Sequence, residues 1–369
     1  MAERVAFLLG KDPATSHGGD MTMFRAMRAI VAERYDTEVI CLSEQPHVTE
    51  PDVVRIAKPP ISRPPLLARS LLSRRSLVHT RFDVPGMRDA IERSSADRFV
   101  AEHSYMAESY LRAEGVSPRE DLFVSLDVSE ADVWEQARRP GLHVEARRLR
   151  RDEFRVASAA RAVAGYDHEE IDVLRAAGID AHWLPLTLPP DKPVDVATTA
   201  PRLVLLGNRT WPPNAEAVDH IVRLWPRIAD GVPDAELWLV GRPQRGIVAA
   251  EDLPAGVTDL GFVDDVDAVL AECRALAAPV TIGPGVRVKL LEAAARGLPV
   301  VATPTAIGSI EASVGVTAAD DENDFVARCR TFLLDPDHAA EEGSRLHAAN
   351  AKQWMDRVPH DAVLGWLDR

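Results

Sequence analysis

Apolar residues first gather at Val5–Leu9, a short run that closes at Gly10 and gives way to a polar loop, Thr15-Ser16-His17-Gly18-Gly19-Asp20. Met23, Met27, Ile30 and Val31 then recur at helical spacing, and Glu38–Leu42 reads as the next strand. Strand, glycine loop, helix, strand is the opening of a βαβ unit, which predicts a parallel sheet with helices on its faces. Further strands are predicted at Val53–Ile56, Arg98–Val100, Leu122–Leu126, Ala162–Ala164 and Ala181–Leu184, with helices near 87–93, 106–113, 130–138 and 143–159. Residues 186–202 hold four prolines and no periodicity, and read as a linker.

The pattern then restarts. A strand at Arg202–Leu206 ends at Gly207, and a helix over Pro213–Ile228 puts Val218, Ile221, Val222, Trp225 and Ile228 on one buried face, with Pro226 kinking its last turn. Strands follow at Glu236–Val240, Thr258–Leu260, Ala275–Thr281, Pro299–Ala302 and Val314–Thr317, with helices near 265–272, 287–296 and 322–333. The stretch from Ala339 to Leu367 is helical and has room to cross back to the first domain. The expected organisation is residues 1–190, residues 191–350, and a returning helix over 351–369.

Composition narrows the function. The 369 residues carry 43 Lys and Arg against 57 Asp and Glu, a net charge of −14, which makes a poor nucleic-acid binder. No apolar run is long enough to span a bilayer, and the start of the chain does not read as a secretory signal. Cys41, Cys273 and Cys329 lie far apart without paired spacing, so a disulfide framework and a cysteine zinc site are not expected, and a cytoplasmic setting is. Asp264-Asp265-Val266-Asp267 looks like a metal-binding triplet but opens a helix, where aspartates cap and complement the dipole. Arg63, Arg69, Arg74, Arg75, Arg81 and Arg88 are interleaved with leucines, either as helices with snorkelling arginines or as a membrane-surface or anionic-acceptor patch.

The segment Thr281–Val301 carries the most chemistry. A buried strand ends in a loop with Gly283 and Gly285, and a helix begins directly after it. In open parallel sheets ligands sit beside such loops, outside the carboxyl ends of the strands. Glycines let the backbone approach a ligand, and the helix start offers N–H groups to a phosphate. Lys289, Glu292 and Arg296 share one helix face, with Val288, Leu291 and Ala295 on the buried one. A lysine in the first turn opposes the helix dipole unless an anion is bound there.

Gly207-Asn208-Arg209-Thr210-Trp211-Pro212-Pro213-Asn214, Trp225-Pro226, Pro233–Leu237, Val240-Gly241, Gly261–Asp265 and Gly283–Val301 together resemble, in order and spacing, the nucleotide-sugar domain of glycosyltransferase family 4. The resemblance covers about residues 202–310. It implies an α/β fold of the GT-B kind: two Rossmann-like, doubly wound domains facing across a cleft. It also implies a retaining, metal-independent glycosyltransferase that needs no cofactor and uses a UDP- or GDP-linked sugar. In that reading Lys289 neutralises the diphosphate, Glu292 accepts the ribose hydroxyls, and the backbone at Val263 meets the base. Gly283 and Gly285 bring main-chain N–H groups to the sugar or phosphate, and Asn208, Arg209 and Arg287 belong to the same donor site.

In the first half, Gly18 and Gly19 match the family's paired glycines, and His103 stands where members place a histidine near the transferred sugar. Two departures stand out. Pro284 replaces a glutamate that many members use for the sugar, and Asp127-Val128-Ser129-Glu130 replaces a loop that usually carries His and Asn. A GT-B epimerase and a non-catalytic nucleotide-binding partner remain as alternatives. The acceptor, whether small molecule, glycan or lipid-linked, is not identified by these residues.

Overall fold

The computed structural model describes residues 3–136, 142–243, 253–283 and 287–369. The chain divides into two units, Met1–Leu184 with His360–Arg369, and Pro185–Pro359. The divisions thus fall at 184 and 359, where the sequence pattern suggested 190 and 350.

In the first unit the strands are β1 (Arg4–Leu9), β2 (Asp36–Ser43), β3 (Val53–Ala57), β4 (Arg98–Glu102), β5 (Leu122–Leu126), β6 (Ala162–Gly165) and β7 (Ala181–Trp183). They form one parallel sheet in the order β3-β2-β1-β4-β5-β6-β7. Val5–Leu9 are wholly buried, as an uninterrupted apolar strand must be when helices cover both faces. The chain winds outward from β1 to β3 and then returns to β4, so the order reverses between β1 and β4. The last ten residues complete this unit. Trp366 packs edge-on against Phe123 at 5.5 Å, and Asp368 accepts from Arg34 at 2.7 Å and from the Tyr35 hydroxyl at 2.9 Å.

The second unit holds β8 (Arg202–Leu206), β9 (Glu236–Val240), β10 (Val257–Gly261), β11 (Ala275–Ala278) and β12 (Val300–Ala302), all parallel in the order β10-β9-β8-β11-β12. Here the order reverses between β8 and β11. The helix Pro212–Ala229 covers one face with Val218, Ile221, Trp225 and Ile228 buried as expected, but Leu224 takes the buried place given to Val222. Asp265 caps the helix Val266–Leu270 by accepting from the Ala268 N–H at 3.0 Å. Cys41, Cys273 and Cys329 are buried and free.

Three expectations are corrected. Residues 186–202 are no slack linker: Leu186, Thr187, Leu188 and Val196 are buried, and the Asn350 side chain accepts from the Leu188 N–H and donates to its carbonyl. Val314–Thr317 is not a strand, because the helix Ile310–Val314 ends there on left-handed Gly315. Beyond it the Ala319 N–H donates to the Ala302 carbonyl of β12. The stretch from Ala339 is two helices, Pro336–Met355 and Val358–Leu367, broken at Arg357 (φ 62°). A further helix, His168–Ala176, escaped the sequence pattern.

Candidate functional site

In the second unit β8, β9 and β10 run out at Gly207, Gly241 and Gly261 along one carboxyl edge. The Gly207 N–H donates to the Val240 carbonyl at 2.9 Å, and the Gly241 N–H to the Gly261 carbonyl at 2.7 Å. The packing is tight enough to demand glycine: a Cβ at Gly241 would lie 2.0 Å from the Gly207 carbonyl oxygen. Val263 follows two residues after β10 and is half-buried. Beside β8, across the reversal point, Gly283 (φ 95°) presses on the start of the helix Pro212–Ala229, where any Cβ would meet Pro213 at 2.8 Å. Gly285 lies outside the described residues, with Pro284 and Val286.

The helix Val288–Ala295 starts at this edge, and its first turn places Lys289. The lysine does not point to solvent as its helical face suggested. Its Nζ turns to the crevice between β8 and β11, donating to the Leu206 carbonyl and, at 2.9 Å, to Oδ1 of Asn214. Asn214 is itself fixed, donating from Nδ2 to the Asn208 carbonyl at 3.0 Å. Both partners of the ammonium are neutral oxygens. Burial, with the nearby charge of Arg287, lowers the Lys289 pKa to about 7. A half-buried lysine at a sheet's switch point, beside a helix N-terminus, is suited to an anionic group.

Arg287 is buried and donates to the Ile282 and Gly283 carbonyls at 3.1 and 2.6 Å, so it shapes the loop. Glu292 is half-buried one turn beyond Lys289. Arg296, on the face predicted to be shared, pairs with Asp267 at 2.7 Å instead. Asn208 folds its side chain back onto Thr210. Arg209, expected at the donor site, lies at the carboxyl edge beside Asn208 and is held by protein partners. Its buried guanidinium grips Asp259 with two bonds of 2.6 and 2.7 Å and donates to the Gly241 carbonyl at 2.6 Å. These bonds tie the ends of β8, β9 and β10 together.

In the first unit the reversal point between β1 and β4 is framed by the loop that enters the helix Gly19–Val31 and by the residues after β4. Gly18 caps that helix, Gly19 opens it, and Lys11 bridges to Asp20 at 2.5 Å beside them. His103, immediately after β4, holds a left-handed backbone (φ 70°). Its ring stacks on Tyr105 at 4.9 Å, Tyr105 stacks on Phe82 at 4.3 Å, and Nε2 lies 3.3 Å from the Asp127 carboxyl. The loop after β5, stripped of the family's His and Asn, therefore still contributes Asp127.

Burial pushes the His103 imidazole down to about 4, the Asp127 carboxyl up, and the Glu102 carboxyl up to about 8. At pH 7 the His103 imidazole is therefore unprotonated and the Glu102 carboxyl largely protonated, and the shift at Asp127 runs in the same direction as that at Glu102. His103 Nδ1, Asp127 Oδ1 and Glu102 Oε1 are buried without a hydrogen-bond partner among the described residues. Orphaned polar atoms gathered at a switch point are what a hydroxyl-rich ligand satisfies. Among the described residues no three His, Cys, Asp or Glu gather as a metal site.

Sequence reading missed Asn214, Glu102 and Asp127 as site residues. Asn214 stood inside a quoted motif and Glu102 beside His103, but their partners are distant in sequence.

Solved structures share this architecture throughout. Sucrose-phosphate synthase from Thermosynechococcus elongatus is 16% identical over 100% of this chain and 98% of that one, with a TM-score of 0.72. HepE from Anabaena, in complex with UDP and glucose, is 15% identical over 100% of both chains at 0.64. The UDP-forming α,α-trehalose-phosphate synthase from Burkholderia vietnamiensis is 10% identical over 100% of both chains at 0.62. The fold is that of the GT-B class, two parallel-sheet α/β domains in one chain. Residues 200–335 match the model of the family described as glycosyl transferases group 1. No curated protein matches the chain by sequence.

Proposed function

We propose that the protein is a retaining glycosyltransferase that takes a sugar from a nucleoside-diphosphate donor, UDP- or GDP-linked, without a metal ion, and works in the cytoplasm. One observation carries the reading: half-buried Lys289 turns its ammonium into the switch point of the second unit, where neutral oxygens hold it. UDP is favoured over GDP because HepE is described with UDP and the trehalose-phosphate synthase as UDP-forming.

Lys289 neutralises the diphosphate, with N–H groups at the start of its helix, so charge on the leaving group is met by fixed donors. Glu292 takes the ribose hydroxyls and the Val263 backbone takes the base. His103, neutral and held by Asp127 and Tyr105, orients the sugar. The acceptor oxygen attacks the anomeric carbon on the face from which the diphosphate leaves. The bond to the phosphate oxygen breaks as the new glycosidic bond forms, and that oxygen takes the acceptor's proton.

Thermal shift with UDP, GDP, TDP and ADP tests the site. A bound nucleotide at a hundredfold excess over Kd raises the melting temperature by roughly 5–10 °C, and Lys289→Met abolishes the shift. No shift with any of the four overturns the reading. Slow release of free sugar from the matching donor then separates an enzyme from a nucleotide-binding partner without activity.

A further inference from the structure

The helix Arg63–Ser73 wears its polarity inside out. Ser70 is its one buried residue, with Leu66 and Ser73 half-buried beside it, whereas Leu67, Leu71 and Leu72 are 50%, 62% and 86% exposed. Surface helices of globular proteins turn leucines inward and serines outward. The inward serine is anchored: Ser70 Oγ donates to the Arg75 carbonyl at 2.6 Å and accepts from Arg148 at 2.8 Å. The helix is therefore fixed with its leucines outward. Ile61, just before it, is 61% exposed.

Charge singles out the same place. From Val53 to Phe82 there is no acidic residue against seven Lys and Arg, of which Arg55 is buried against Asp12 and Arg75 pairs with Glu108, in a chain of net charge −14. Arg63 and Arg74 are exposed at the two ends of the leucine stripe, and exposed Arg151 reaches the Arg74 carbonyl. A convex helix with a leucine ridge and arginines at its ends fits the boundary between headgroups and acyl chains. There leucines leave water and guanidinium groups meet phosphates. A second copy docking symmetrically would set like charge on like charge.

We propose that the helix Arg63–Ser73 docks the protein on an anionic lipid surface. Leu67, Leu71 and Leu72 enter the interface, and Arg63 and Arg74 hold the lipid phosphates. This inference is independent of the sugar-transfer reading, since none of these residues belongs to either switch-point site. Among the described residues no helix is long and apolar enough to cross a membrane, so attachment here is peripheral.

The test is co-sedimentation of the full chain with vesicles of equal phosphatidylglycerol and phosphatidylcholine, and with phosphatidylcholine alone. Binding to the anionic vesicles is expected to be at least about tenfold tighter and to weaken in 0.5 M salt. The triple variant L67S/L71S/L72S and the double variant R63E/R74E each lose about tenfold or more, with melting temperature and UDP binding unchanged. A wild-type chain that stays in the supernatant, or a triple variant that pellets like it, overturns the proposal. So does lipid-free self-association that the triple variant abolishes, which would assign the face to a second copy.

Discussion

The Lys289 ammonium lies 2.9 Å from Oδ1 of Asn214, a residue 75 positions earlier at the start of another helix, and the pair spans the crevice between β8 and β11. The lysine thus has neutral oxygens as its partners while its own charge is disfavoured by burial.

That conflict gives a pH dependence. The Lys289 pKa is lowered from its ordinary 10.5 to about 7, so between those values the folded protein binds fewer protons at this residue than the unfolded chain. Stability is expected to rise with pH across that window and to be flat at this residue below about 7, a slope that Lys289→Met removes. A bound diphosphate favours the ammonium, so UDP binding above pH 7 takes up a proton and affinity falls by up to about tenfold per pH unit. Calorimetry in buffers of different ionisation enthalpy reads the uptake. A Kd constant from pH 7 to 9 would contradict the assignment.

Asn214→Ala removes one of the ammonium's two acceptors and part of its positioning. UDP affinity is expected to drop by about fivefold, near 1 kcal/mol, with little change in the denaturation midpoint. A loss of stability without a loss of affinity would show that Asn214 serves only the fold.

Arg209 behaves in the opposite way. Its bidentate pair with Asp259 ties the ends of three strands, so Arg209→Ala is expected to cost about 2 kcal/mol in urea unfolding. UDP affinity of the remaining folded protein should change less than twofold, as a titration at low temperature would show. A large affinity loss with stability intact would return Arg209 to the donor site.

On the proposed role of His103 in orienting the sugar, His103→Ala should lower transfer by about a hundredfold or more while leaving the Kd for UDP unchanged. Single-turnover transfer and UDP titration on the same preparation separate the two effects.

The strands were legible because each buried strand is a short apolar run closed by a turn residue, as in Val5–Leu9 and Gly10. The helix His168–Ala176 was not, since only Ile171 and Leu174 are buried in it, too few to define a period. Val314 and Val316 imitate a strand's alternation, but both are buried while flanking a helix cap. The prolines at 186–202 suggested looseness because proline marks turns, whereas the contacts that fix this segment come from Asn350, far along the chain. In the site, spacing placed Lys289 at a helix start beside glycines. It could not supply Leu206 and Asn214, because those partners depend on which strands become neighbours.

At residue 103 the chain keeps an imidazole on a backbone that favours glycine (φ 70°). A His103→Gly protein should therefore be as robust to heat as its parent, or more so, while transferring sugar poorly. Natural selection acting on thermal robustness alone would erase that ring. Its retention in a descendant lineage would mark a chain still selected for turnover.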